Sequence, residues 1–409
     1  MRAGLLRTNR DFRLMFGAAS LSNLGDGIAM VAIPWLATLL TDSPLLISAV
    51  AMAQRLPWFL FALPAGVWTD RADRRVLMIR ADIARAGLML CTLGMVLGGT
   101  SGGPAAVLPL ALIAFLLGTA EVIRDNAAQT VLPSIVPKDD LEDANGQMWS
   151  AEQVTGQFIG PPLAGLLIAA GIALPFGLDA GIYALTAAMI WLIALPPRRV
   201  VAHARFWPAL REGLGWMMRH ATILRLAVML GAINAVFTGG MTILVLYAQE
   251  VLELSASSYG LLLTFGAVGG VLGGLVAPAL SRRIGMRRSL LAALAVFTLS
   301  NALIGFFSGL PLVALSLALE AAAGMLWNVV TVSYRQRLIP DDLLGRVNSA
   351  YRFFGWGAMP FGALGAGALV TVVEPSLGRD AALHAPYVLA TAVCAALVVY
   401  AALRLRPVD

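Results

Sequence analysis

Among the ionisable side chains inside long apolar stretches of this sequence, six are singled out: Asp26, Arg55, Glu121, Arg124, Asp125 and Glu320. A charge at the centre of a bilayer costs on the order of 3 kcal/mol or more, so such residues pair with one another or face a water-filled cavity, and they mark functional sites. A carboxylate placed there can take up and release a proton, and an arginine beside it can hold it ionised until a proton or a substrate competes. At 1.5 Å of helix rise per residue, Asp26 lies about 20 Å beyond Arg13 and Arg55 about 22 Å before Asp70, so both fall near mid-membrane. Glu121 lies about 18 Å from Pro133 and Glu320 about 22 Å from Arg335, which brings the two carboxylates to similar depth. Asp26, Glu121 and Glu320 are therefore the candidate proton carriers. A static Asp26–Arg55 ion pair that only neutralises two buried charges is the plainer alternative. Glu121 and Asp125 sit one helical turn apart with Arg124 beside them, an arrangement suited to a gate or to local charge compensation.

The elements that must position these residues are membrane spans. Of 409 residues, 59% are hydrophobic and 13% charged, with a mean hydropathy of +0.81; soluble domains carry about 25% charged residues. Apolar runs long enough to cross about 30 Å of hydrocarbon predict twelve transmembrane helices, near 13–39, 45–69, 77–98, 105–131, 144–170, 175–196, 223–248, 258–281, 289–308, 311–334, 346–373 and 384–403. The basic N-terminus is read as leading into a retained first span, since no small-residue cleavage site follows. One set of loops holds Arg2 to Arg13, Arg71, Arg74, Arg75, Lys138, Arg198 to Arg225, Arg282 to Arg288, Arg335 to Arg346 and Arg404 to Arg406, while the other holds Arg379 alone. By the positive-inside rule both termini are cytoplasmic.

The segment 197–222 interrupts the spacing of spans. It mixes arginines with Phe206, Trp207, Leu210, Leu214 and Trp216, as an amphipathic linker lying on the inner face does. The expected organisation is a six-helix bundle over 1–196, the linker 197–222, and a second six-helix bundle over 223–409. The halves share a signature: Pro137-Lys-Asp-Asp-Leu followed by Asn145, and Pro340-Asp-Asp-Leu-Leu followed by Asn348, about half the chain apart. The aspartates stand where helices begin, as N-caps would. Recurrence at that offset indicates an internal repeat, and transporters place their sites at repeat interfaces.

Two motifs carry a resemblance. Gly66-Val-Trp-Thr-Asp70-Arg71-Ala-Asp73-Arg74-Arg75 is similar to the loop signature GxxxDRxGRR of the major facilitator superfamily, with Asp73 in place of the second glycine. Gly156-Gln-Phe-Ile-Gly160-Pro161-Pro162-Leu-Ala-Gly165 resembles that superfamily's antiporter signature, GxxxGPxxGG. The chain looks most like the branch that includes the enterobactin exporter and macrolide efflux proteins, through Gly25-Asp26-Gly27, Pro64-Ala-Gly66, Ala81-Asp82-Ile-Ala-Arg85 and the Gly160-Pro161 helix. The resemblance implies an all-α membrane protein of two pseudo-symmetric six-helix bundles, and an inner-membrane exporter of amphiphilic small molecules by proton antiport, commonly working as a monomer. It implies a cytoplasmic gate of Gly66, Asp70, Arg71, Arg74 and Arg75, with Arg74 reaching an acid near the inner end of the fourth span. Asp125 stands in a suitable place, with Arg124 beside it. It further implies that the first, fourth, seventh and tenth spans line a central cavity, placing Asp26, Glu121 and Glu320 there with Asn234 and Asn328, and Arg55 nearby. Phe237 and Trp327 are aromatic candidates for substrate contact, as are Trp35 and Trp149, although single aromatics in spans more often pack or anchor. The loop Ser281-Arg-Arg-Ile-Gly-Met-Arg-Arg288 has the charge of the gate loop without its aspartate.

Other chemistries are excluded by what is missing. Lys138 is the single lysine and is followed by Asp139, so neither a phosphate-binding GxxxxGK[ST] loop nor a Ser-x-x-Lys pair exists. His203, His220 and His384 are scattered and predict no zinc site. Cys91 and Cys394 lie in separate apolar runs and predict no disulfide. No cofactor is expected, and basic residues that follow membrane topology argue against nucleic acid as a partner. The expected partners are a small-molecule substrate, protons and the lipid bilayer. An importer or facilitator of a small polar or anionic solute on the same fold is the alternative, with a lipid scramblase or membrane enzyme further away.

Overall fold

The computed structural model describes residues 4–99, 103–194 and 206–405, with side chains described for all of these except 62–71, 104, 138, 206–210 and 341–342. Helices make up nearly all of it, and no strand occurs among the described residues. In order they are α1 (Leu5–Thr8), α2 (Arg10–Leu40), α3 (Pro44–Arg71), α4 (Arg74–Leu97), α5 (Pro104–Ile135), α6 (Leu141–Glu152), a π-helical turn (Gln153–Ile159), α7 (Gly160–Ala170), α8 (Leu174–Trp191), α9 (Phe206–Arg219), α10 (Ala221–Glu250), α11 (Ala256–Phe306), α12 (Leu310–Leu338), α13 (Asp341–Gly357), α14 (Met359–Leu377) and α15 (Arg379–Arg404).

Nine helices among the described residues are long and apolar enough to cross a membrane, counting α11 once. Gly285 interrupts α11 with φ at 75°, a conformation that glycine adopts without the Cβ penalty of other residues. The break falls between the predicted spans 258–281 and 289–308. Two expected spans are absent from the nine for physical reasons. α4 carries Arg80, Asp82 and Arg85 in its body, and the span predicted over 144–170 is divided into α6, the π-helical turn and α7. Pro161 and Pro162 lack amide hydrogens, so carbonyls one turn earlier lose their α-helical partners, and the Gly160 amide bonds the Thr155 carbonyl in the wider register.

Helix starts follow local chemistry. Asn9 caps α2 by accepting from the Phe12 amide at 2.9 Å, and its own amide group donates to the Ile135 carbonyl at 2.6 Å. Asp73, which breaks the loop signature, caps α4 by accepting from the amides of Arg75 and Val76 at 2.9 and 3.2 Å, an N-cap interaction typically worth about 1 kcal/mol. The N-caps expected of the repeated aspartates are not formed at Asp140, and at α13 the cap position falls one residue earlier; the side chains of Asp341 and Asp342 lie outside the described residues. Asp140 occupies the N-cap position of α6 without a capping hydrogen bond, and Pro340 holds that position at α13. Negative charge in the first turn still complements the helix dipole.

The chain divides into two compact units. One comprises residues 1–42, 53–202 and 255–261, and the other 43–52, 203–254 and 262–409. In the first, Met15, Met78, Val131 and Ile190 form a buried apolar cluster, and Phe12 and Leu132 form another. In the second, Leu226, Phe297, Trp327, Val330 and Tyr351 share a larger one. Leu97, Leu108, Leu275 and Val372 point outward, as side chains facing lipid do. Within each unit a long helix crosses a partner where side chains are absent: a Cβ at Gly27 would strike the Gly156 carbonyl, and one at Gly239 would come 2.8 Å from the Gly362 carbonyl oxygen. α2 therefore meets the π-helical turn and α7 much as α10 meets α14, which is the internal repeat expressed as packing. In the second unit α9 occupies part of the predicted linker and packs on α13, where Glu212 pairs with Arg346. Residues 197–205 of that linker, and the two residues before it, lie outside the described residues.

Candidate functional site

The first unit holds a buried ionic chain. Asp82, on α4, has no exposed surface; one of its oxygens lies 3.5 Å from Arg85 Nη1 and 3.3 Å from Arg124 Nε. Arg85 is 2% exposed, and its Nη2 donates to Asp26 Oδ1 and, at 3.1 Å, to the Tyr183 hydroxyl, while its Nη1 donates to Ser22 Oγ at 3.0 Å. The guanidinium carbon lies 3.9 Å from the centre of the Tyr183 ring, and the Tyr183 hydroxyl donates to Asp26 Oδ1 at 3.0 Å. On the other side Arg124 stands 3.5 Å from Asp125 Oδ1 and reaches the Ala18 carbonyl at 3.4 Å. Asp26, Arg85, Asp82, Arg124 and Asp125 thus alternate in sign across α2, α4 and α5, with Tyr183 of α8 closing one end. Buried guanidinium pairs of this kind are strongly destabilised, by about 3–5 kcal/mol, when one partner alone is removed.

Both ends of the chain open on one cavity of about 230 Å³. Its walls include Asn23, Asp26, Gly27 and Met30 from α2, Gln54 and Arg55 from α3, Arg85 and Met89 from α4, Leu117, Glu121 and Asp125 from α5, Glu152 from α6, Gly156 and Gln157 from the π-helical turn, and Tyr183 from α8. Glu121 lies within electrostatic reach of Asp125, Arg85 and Arg55. Four carboxylates and two guanidiniums on the wall leave it acidic when all are ionised, and Asn23, Gln54 and Gln157 add amide donors and acceptors. Such a surface can exchange protons and bind a polar or cationic group.

Several residues singled out from the sequence meet here: Asp26, Glu121, Asp125, Arg55 and Gly156 line the cavity, and Arg124 lies behind it. The pairing expected of Asp26 is corrected. Its guanidinium partner is Arg85, because α4 and not α3 places an arginine against it, and Arg55 occupies another part of the wall. The reach expected of Arg74 is corrected as well: its Nη1 donates to the Thr130 carbonyl at 2.6 Å, on the fourth span but not on Asp125. Arg75 donates to the Trp191 carbonyl. The side chains of Asp70 and Arg71, and the surroundings of Gly66, lie outside the described residues. Gly160, Pro161 and Gly165 are buried in α7; a Cβ on Gly160 would stand 2.7 Å from Gly27 Cα.

The second unit is more sparing. Glu320 on α12 is 8% exposed and accepts from Ser300 Oγ and, at 3.0 Å, from Asn301 Nδ2, both on α11. It lines a small cavity of about 20 Å³ with Phe237, Met241, Leu244 and Tyr387. Asn234 instead donates to the Gly355 carbonyl at 2.9 Å, and Trp327 is buried in the apolar cluster, so neither lines this cavity; nor does Asn328, which is exposed. Among the described residues no three His, Cys, Asp or Glu side chains are grouped to hold a metal ion.

Sequence reasoning missed Asp82, Arg85, Asp179 and Tyr183 as parts of the site. The aspartates fall early in their predicted spans, where charge reads as a membrane edge. The usable signal was Asp82 and Arg85 at i and i+3 inside an apolar run.

Residues 6–409 match the family of transmembrane secretion effectors. The multidrug efflux pump Tap of Mycolicibacterium fortuitum is 28% identical over 372 residues, 87% of this chain and 88% of the relative. The enterobactin exporter EntS of Shigella boydii is 25% identical over 391 residues, 93% and 90% of the two chains. Among solved structures, a point mutant of the nucleoside transporter NupG superposes with a TM-score of 0.79 at 13% identity, covering 97% of this chain and all of that one. A bacterial homologue of the iron transporter ferroportin does so with a TM-score of 0.72 at 19% identity, covering 97% and 100%. At those identities the structures speak for the fold alone. A multi-pass, all-helical chain that matches this family from its sixth residue to its last belongs to the transmembrane secretion effectors of the major facilitator superfamily.

Proposed function

We propose that this protein is a proton-coupled exporter of amphiphilic small molecules that works by alternating access in a cell inner membrane. The observation that carries the reading is the 230 Å³ cavity in which Asp26, held by Arg85, is 30% exposed and open to a ligand. A proton or a substrate cation arriving at Asp26 competes with Arg85 for the same carboxylate, so occupancy at this point rearranges charge among α2, α4 and α8. Export is supported by the efflux pump and the exporter among the relatives. Twelve spans follow if α11 is divided at Gly285 and α4 and the α6–α7 segment are added to the nine long apolar helices; with them go cytoplasmic termini and a monomeric unit. Glu121 and Glu320 are the further candidates for proton carriage, and Arg74 and Arg75 for the cytoplasmic gate.

Everted membrane vesicles test the reading. With an imposed inward-acid gradient, ethidium should accumulate inside vesicles containing the protein and should dissipate the gradient as it does so; D26N should lose both by at least about tenfold, the effect of roughly 1.4 kcal/mol. Ethidium uptake that ignores the gradient, or a D26N variant with wild-type coupling, overturns it. The amide groups of Asn23, Gln54 and Gln157 on the cavity wall favour one second reading, a facilitator of a small polar solute, for which the direction of movement would follow the solute gradient alone.

A further inference from the structure

Asp179 on α8 has no exposed surface, and neither of its carboxyl oxygens has a hydrogen-bond partner among the described residues. A bare carboxylate in such a place is costly by several kcal/mol. Asp179 and Tyr183 are four residues apart on one helix, which sets their side chains about 6 Å apart on the same face. The Arg85 guanidinium lies on the Tyr183 ring and is the cation that acts on Asp179. The helices packed most closely on α8 are α4 and α2, with α7 beside them. α4 presents Asp82 and Arg85, α2 presents Asp26, α7 has no ionisable residue, and α8 itself adds only Asp179 and Tyr183. Glu121 of α5 is the remaining charge that reaches this corner, through Tyr183.

Two aspartates, Asp26 and Asp82, therefore contact one guanidinium, a third, Asp179, stands within its electrostatic reach, and Asp82 is already shared with Arg124. While Arg85 is engaged by Asp26, Asp179 has no counter-charge of its own. If Asp26 is neutralised, Arg85 is left buried with only a shared partner, and Asp179, whose two oxygens have no hydrogen-bond partner among the described residues, is a carboxyl within its electrostatic reach.

We propose that Asp179 is a second proton-binding site of the first unit: it holds a proton while Arg85 pairs with Asp26, and it releases that proton to become the counter-ion of Arg85 when Asp26 is neutralised. The charge balances at each stage. One positive charge arrives at Asp26, as a proton or as a substrate cation, and one proton leaves Asp179, so the buried cluster keeps its net charge. With a substrate cation at Asp26 the exchange is antiport at a single locus. This inference deepens the proposed proton-coupled export and rests on it for its role in transport, but the protonation of Asp179 can be read without any transport.

The test is a double-mutant cycle read by the carboxylic-acid C=O infrared band of the purified, full-length protein in lipid, with no substrate present. The wild type should show one more protonated carboxyl than D179N. D26N mimics a neutralised Asp26 and should already lack that carboxyl, so D26N and D26N/D179N should be alike. A wild type indistinguishable from D179N, or a D26N variant that retains the band and loses it only on adding D179N, overturns the proposal. If D179N does not purify, isotopic labelling of aspartate lets the comparison of wild type with D26N decide alone: loss of one acid equivalent is expected, and no loss refutes the exchange. As a functional readout, D179N should shift the acid limb of proton-driven ethidium transport to lower pH by about one unit or more, because an opposite charge within reach moves such equilibria by 1–3 units. A superimposable pH profile in an active D179N refutes it, whereas absence of proton coupling in the wild type would refute the export reading and leave the infrared result standing.

Discussion

Replacing Gly160 with alanine should separate helix packing from helix propensity. A Cβ built at Gly160 stands 2.7 Å from Gly27 Cα and 2.9 Å from Gly27 C, whereas non-bonded carbons rest at about 3.5–4.0 Å. The two backbones must therefore part by roughly 0.8 Å or more, and no flexible side chain can yield in their place. Overpacking of this kind costs about 1–3 kcal/mol. Gly94 on α4 provides the reference, because a Cβ there meets nothing within 4 Å, and alanine gains up to about 1 kcal/mol over glycine within a helix. G94A should consequently melt at or above the wild-type temperature in detergent, followed by tryptophan fluorescence, and G160A below it. G160A should also slow gradient-driven ethidium transport, since α2 and α7 meet at a wall of the Asp26 cavity. A G160A variant as stable as G94A would mean that the glycine crossing is not the contact that holds α2 to α7.

Three further outcomes follow from the site. R85K keeps a charge but not the planar fork that serves Asp26, Tyr183 and Ser22 together, so proton-coupled transport should fall about tenfold or more while ethidium binding measured at fixed pH changes less. E320Q should melt within a degree or two of the wild type, because Ser300 and Asn301 retain an acceptor; E320A should lose about 2–4 kcal/mol through a cavity and unpaired donors. D73A should lose about 1 kcal/mol from the α4 cap without altering the pH dependence of transport, and a changed pH profile would assign that aspartate to the gate instead.

The spans were legible because hydrocarbon imposes one length and one composition, and the Gly285 break and the α9 segment both fall where the sequence predicts an interruption. Asp26 was legible for the same reason: a lone carboxylate deep in an apolar run has few explanations. Its partner was not. Arg55 and Arg85 lie on different helices, and depth along a helix says nothing about which helix stands opposite; the packing of both α4 and α2 on α8, which brings Arg85 to Asp26, decides it. Asp179 was hidden by its place near the start of a span, where an exposed charge would be unremarkable, yet it stands on the buried face of α8 with Phe176 and Tyr183. The π-helical turn was readable only in part. Its prolines announce a loss of hydrogen bonds, but the choice between a kink and a widened turn depends on the glycines that let α2 approach.

The buried acids of the two units differ in their partners, Asp26 facing a guanidinium and Glu320 two neutral donors, and on the proposed mechanism this gives them different tasks. Protonating Asp26 strips Arg85 of its closest ionic partner, and a buried guanidinium cannot be left without one, so the event must propagate to Asp82 or to α8. Protonating Glu320 strands nothing, since Ser300 and Asn301 are neutral donors that serve the acid in either form. On the proposed mechanism, proton binding at Asp26 is therefore mechanically coupled to the helices that Arg85 joins, whereas a proton carried at Glu320 changes local polarity without stranding a charge. An isosteric amide should accordingly abolish proton-coupled ethidium transport at position 26 and leave it measurable at position 320; equal losses at both would show that the guanidinium is not what transmits the proton's arrival.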